Sequence, residues 1–98
     1  MSVEIRWLRK ALRNLDSEAS YIEKDDPAAA RIVVQRIFDA VNLLAENPAL
    51  GHPGRIDNTR ELVVPDARYI VPYRIMPRLN RVEILRVFHA SRKLPESW

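Results

Sequence analysis

The 98-residue chain has no cysteine and only two glycines and two histidines. Without cysteine there is no disulfide framework, thiolate zinc site or thiol nucleophile. His52 and His89 lie far apart, with none of the close spacing that metal-binding histidines show, so no metal or cofactor is implied. Residues 48–85 contain no lysine. No apolar run approaches the roughly 20 residues that span a bilayer. Arg6, Arg9 and Lys10 break up the apolar residues of the N-terminus, which excludes a signal-peptide core. These absences lead us to expect a cytoplasmic protein with no membrane partner.

What is present is an ordinary globular balance, 47% apolar and 30% charged, with no low-complexity tract. The length suits one domain over residues 1–98 and leaves no room for a second. Charge is spread unevenly by sign. Residues 1–50 hold 7 Lys/Arg against 8 Asp/Glu, a net of −1; residues 51–98 hold 9 against 5, a net of +4. A basic C-terminal half suits an acidic or phosphate-bearing partner, and it equally suits a solvated strand face.

The periodicity changes along the chain. Residues 3–7 alternate, with Val3, Ile5 and Trp7 on one face of a short strand. Over residues 8–24, Leu8, Leu12, Leu15, Ala19 and Ile22 form one helical stripe. Asp26 suits an N-cap and Pro27 a first helical position. A second helix follows, with Ala30, Val33, Ile37, Ala40, Val41 and Leu44 on its apolar face, and Asn47-Pro48 stops it. The short connection predicts an antiparallel helical hairpin.

Residues 48–59 form a loop holding both glycines, Gly51 and Gly54, which suggests special backbone angles. Three strand-like runs complete the chain: Arg60–Val64, Arg68–Ile75 and Arg81–His89, with turns at Pro65-Asp66 and Pro77–Asn80. In the last run, strict alternation puts Arg86 with Val82, Ile84 and Phe88, and His89 on the opposite face. Pro72 implies an edge strand or a bulge. The order β-α-α-β-β-β predicts the α+β class: a helical hairpin packed on a largely antiparallel four-stranded sheet.

Several segments carry a resemblance. They are Tyr21-Ile22, Asn47-Pro48-Ala49-Leu50-Gly51 followed by Pro53-Gly54-Arg55, Thr59-Arg60-Glu61-Leu62, Tyr69–Ile75 and Val82–Arg92. In this order and with short gaps, they resemble the RelE/ParE toxin superfamily of type II toxin–antitoxin systems, closer to its ParE branch. The resemblance implies a toxin that binds and inhibits DNA gyrase and is neutralised, in a hetero-oligomer, by a cognate ParD-like or RelB-like antitoxin. Behind that reading it leaves two alternatives: a RelE-type endoribonuclease that cuts mRNA on the ribosome, or an inactive member that only binds antitoxin.

Metal-free RNA cleavage needs a base, an acid and cations around the phosphate. Arg60, Arg86, His89 and Arg92 would form that set, with Tyr69 or Tyr73 as the acid; Arg68 and Arg74 are further cations. Against it stand the missing lysines, the opposite faces of Arg86 and His89, and Ala90-Ser91 where the ribonucleases end in a tyrosine or a His-Tyr pair. For a toxin that acts by binding, Arg60, Tyr73, Arg86, His89, Arg92 and Trp98 are the target-contact residues expected. Trp98, in a short basic tail, suits either a return onto the sheet or a protein-binding anchor.

Overall fold

The computed structural model describes residues 2–98. It opens with β1 (Glu4–Trp7), followed by α1 (Arg9–Glu23) and α2 (Pro27–Asn42). Asp26 caps α2 by accepting a hydrogen bond from the Ala29 N–H at 3.1 Å, with Pro27 at the first helical position. The α-helix ends before Asn47: Leu43–Ala45 tightens into a 3-10 turn that keeps Leu44 fully buried. The rest is sheet: β2 (His52–Pro53), β3 (Arg60–Val64), β4 (Tyr69–Met76), β5 (Arg81–Ile84) and β6 (Phe88–His89).

The strand order is β1-β5-β4-β3-β2, with β6 continuing along β4 beyond β5. The only parallel pair among the described strands is β1 with β5, so the sheet is mixed but mainly antiparallel. The class is α+β, with six strands rather than the four expected. The surplus comes from the two-residue β2 and from a break in the final run.

That break is a β-bulge. Tyr73 pairs with Ile84, yet Ile70 pairs with Phe88. Three steps along β4 are matched by four along its partner, so the partner carries one extra residue. Leu85 N–H donates to the Pro72 carbonyl at 2.9 Å, which sets the extra residue opposite Pro72. Pro72 therefore sits in a central strand, and of the two placements expected for it the bulge is the one found. A strand residue's N–H and C=O point the same way, so the N–H that proline lacks is missing at the bulge itself. There the Leu85 carbonyl accepts from Arg86 Nη1 at 2.6 Å, and Val87 N–H donates to Asn14 Oδ1 of α1 at 3.1 Å.

Side chains of paired residues share a face. One face of the sheet presents Val82, Ile84, Tyr73, Val71, Tyr69, Leu62 and Val64. They pack against Ala11, Leu15, Ile37, Ala40, Val41 and Leu44 of the hairpin to form the core. The expected stripe of α1 is rotated. Ala11, Leu15 and Glu18 are its buried residues, while Leu12 is 46% exposed.

The opposite face carries a charge ladder. Arg81 Nε meets Glu4 at 2.6 Å, Arg74 Nη2 meets Glu83 at 2.7 Å, and Arg55 Nε meets Glu61 at 3.1 Å. Of these acids only Glu4 comes from the first half; Glu61 and Glu83 are already counted in the net +4 of residues 51–98.

Candidate functional site

The loop before β3 is fixed by residues that the sequence offered as target contacts. Tyr73 is wholly buried. Its hydroxyl donates to the Pro48 carbonyl at 2.7 Å and accepts from Gly51 N–H at 2.8 Å. Tyr73 is an internal anchor, which corrects its assignment as a target contact. Arg60 is spent the same way: Nε donates to the Gly51 carbonyl at 2.8 Å and Nη2 to that of Ala49 at 3.1 Å.

Glu61, 2% exposed, accepts from the backbone N–H and guanidinium of Arg55. Burial pushes the Glu61 carboxyl up, but the Arg55 hydrogen bonds and charge, aided by His52, hold it below its ordinary value.

Neither glycine has a positive φ, which corrects the expectation of special angles; Asn58, Asp66, Arg68 and Asn80 occupy the left-handed positions. The glycines answer to space. A Cβ on Gly51 would lie 2.7 Å from Tyr73 Cε1 and 2.8 Å from the Glu61 carbonyl oxygen. At Gly54 it would collide with Thr59 Oγ1.

A second cluster lies at the far end of the sheet, on the hairpin side. His89 pairs with Tyr69, and their rings meet edge-on at 5.2 Å. Glu18, 6% exposed, accepts from the Tyr69 hydroxyl at 3.1 Å and pairs with Arg92 Nη1 at 2.7 Å. Burial, with the Glu18 carboxylate beside it, pushes the Tyr69 phenol up to about 12, away from any use as an acid near neutrality. Ser91 N–H lies 3.2 Å from His89 Nδ1 and Ser91 Oγ lies 2.6 Å from it. A backbone N–H can only donate, so Nδ1 is the acceptor of that contact.

Glu18 was missed in the sequence. Its signal was there: positions 8, 11, 15, 18 and 22 form a helical stripe, and a carboxylate in such a stripe calls for a buried partner.

A third region lies across the sheet. The bulge turns both Leu85 and Arg86 onto the charged face, which corrects the grouping of Arg86 with Val82 and Ile84. Phe88, paired with Ile70, also faces this side, and Trp98 returns to pack on it with ring centroids 5.5 Å apart. Of the two roles expected for Trp98, the return onto the sheet is the one observed. Leu85, Arg86 and Trp98 border a cavity of about 640 Å³, also lined by Leu8, Arg9, Lys10, Arg74 and the 56–59 turn. Burial lowers the Arg86 pKa from its ordinary value.

The six expected residues therefore fall into three places. Arg60 and Tyr73 hold the loop, His89 and Arg92 join Glu18 and Tyr69, and Arg86 and Trp98 border the cavity. Arg86 and His89 remain on opposite faces even with the bulge.

A family model described as "ParE toxin of type II toxin-antitoxin system, parDE" matches residues 5–94. The chain belongs to the ParE toxin family. It is 58% identical over 92 residues to Y4kP of Sinorhizobium fredii, whose name marks it as a candidate toxin; the match covers 94% of this chain and 93% of that protein. It is 32% identical over 89 residues to toxin RelE2 of Caulobacter vibrioides, covering 91% and 97%. In three dimensions it is similar to a chain of the chromosomal ParDE system of P. aeruginosa. That likeness has a TM-score of 0.82 at 25% identity and covers 92% of this chain and 98% of the other. In this ParE-family chain, no described helix is long and apolar enough to cross a membrane.

Proposed function

We propose that this ParE-family toxin acts by binding, with DNA gyrase as its target, and that a cognate antitoxin neutralises it. The observation that carries this reading is the dispersal of the ribonuclease set. Arg60 is tied to loop carbonyls, Arg92 to Glu18, and Arg86 lies across the sheet from His89. Transition-state stabilisation needs cations converging on one phosphate, and these do not converge. Purified toxin at saturating concentration should block supercoiling by gyrase or trap cleaved complexes. Unimpaired supercoiling would sink the proposal.

The antitoxin segment we assign to the outer groove of the hairpin, where Leu12, Ala19, Val34 and Phe38 line a concavity of about 440 Å³. An amphipathic helix would lay its apolar side there. Leu12→Asp should abolish co-purification with the antitoxin while leaving the fold intact.

A second reading is favoured by the 32% identity to a protein named RelE2. On that reading the toxin cuts ribosome-bound mRNA around His89. Loss of toxicity in folded, antitoxin-binding His89→Ala would support it, and undiminished toxicity would remove it.

A further inference from the structure

Among the described residues, two donor groups beside the bulge stand without an anionic or any other side-chain partner. Arg86 has no carboxylate partner among the described residues, and its one hydrogen bond goes to the carbonyl of its own neighbour Leu85. Trp98 Nε1 is buried with no hydrogen-bond partner. The helix that opens into the cavity starts at Leu8, which offers no capping oxygen, and its first turn holds no acid but Arg9 and Lys10. Helix N-termini ordinarily favour the opposite charge. The one acidic side chain on the lining is that of Asp57, exposed in the 56–59 turn; the charge of Arg74 is already met by Glu83.

A buried donor without an acceptor is costly, and a guanidinium on a partly apolar wall needs an anion. We infer that this cavity is a docking pocket for a carboxylate-bearing, otherwise apolar segment of a protein partner, its carboxylate set between Arg86 and the Trp98 indole.

The walls favour such a segment over a nucleic acid. Leu8, Ile56, Leu85 and the Trp98 ring give an apolar lining for aliphatic side chains. Beyond the cavity the same sheet face carries arginines already paired with Glu4, Glu61 and Glu83, so it offers no run of unpaired cations for a phosphate backbone to follow. A single carboxylate on an apolar peptide needs only the cation at the cavity. The inference does not rest on gyrase being the target; it fixes the chemistry of the docked segment, whichever protein supplies it.

The test is a ¹⁵N NMR titration of the full chain, following the Trp98 indole N–H and the Arg86 Nε–H. Trp98→Phe assigns the first resonance and Arg86→Gln the second. The probes are a capped octapeptide of Leu and Ala with one central Glu, its counterpart with Gln in place of that Glu, and tetrathymidylate. The acidic peptide should shift both resonances saturably, and the Gln peptide should not. Arg86→Gln should weaken binding by about tenfold, the loss expected for one charge-assisted hydrogen bond. Trp98→Phe keeps the ring packing and loses the donor, so it should weaken binding by about threefold. The inference is overturned if the acidic peptide gives no saturable shift, if the Gln peptide binds equally well, or if tetrathymidylate binds more tightly at the same resonances.

Discussion

The two ends of the last strand hold similar chemistry in opposite states. On the hairpin side, Tyr69 and Arg92 both meet Glu18, while His89 packs edge-on against Tyr69 and accepts from Ser91 N–H. On the charged side, Arg86 and Trp98 border a cavity where, among the described residues, no carboxylate pairs with Arg86 and no acceptor meets Trp98 Nε1. An arginine, aromatics and a short tail serve at both ends. What separates them is a buried carboxylate within reach: Glu18 meets Arg92 on one side, whereas on the other Glu61 and Glu83 are taken by Arg55 and Arg74 and neither pairs with Arg86. The closed cluster acts in stability; the open one is free to act in recognition.

The largest effect should come from removing the carboxylate that closes the first cluster. Glu18→Ala leaves the buried Tyr69 hydroxyl without its acceptor and Arg92 without its counter-charge. Because Arg92 is about half exposed, water takes up part of the loss. We expect a destabilisation of about 2–3 kcal/mol in urea unfolding. A change below about 0.5 kcal/mol would mean that the cluster is no more structural than the cavity.

Alkaline titration gives the next effect. The folded Tyr69 phenol is raised above its ordinary value of 10, to about 12. Its contribution to stability is therefore full below pH 10 and is lost as pH rises through 12. Phenolate absorbance should show one tyrosine titrating near pH 12, absent from Tyr69→Phe. If no late-titrating phenol appears before unfolding, Glu18 and Tyr69 are not coupled as described.

The smallest effect belongs to the open side. Arg86→Leu removes a side chain whose one hydrogen bond is to its own neighbour. Unfolding should move by less than about 0.5 kcal/mol, in either direction. A cost near that of Glu18→Ala would erase the comparison and turn Arg86 into a structural residue.

Much of this frame was readable in advance. Asp26-Pro27, the alternation of residues 3–7 and the Pro65-Asp66 turn each state a local rule that the packing obeys, so the hairpin and strand boundaries follow. The family followed from segments strung along the whole chain. The site was harder to read, for two physical reasons. Leu85 and Val87 are both apolar, so alternation could not show where the last strand slips by one; only Pro72 hinted at it. Burial also decides what a polar residue does. Tyr73 and Glu18 look like a surface contact and a solvated charge until the tertiary fold closes over them.

The bulge has a consequence for what the fold requires of its sequence. Leu85 and Arg86 both stand opposite Pro72 and both point outward, while Ile84 and Val87 on either side point into the core. Deleting Arg86 would restore plain alternation: Ile84 in, Leu85 out, Val87 in, Phe88 out. Not one core side chain would change sides. In this strand Arg86 is a surplus residue in the geometric sense, a spare place in the ladder that surface chemistry can occupy without disturbing the interior.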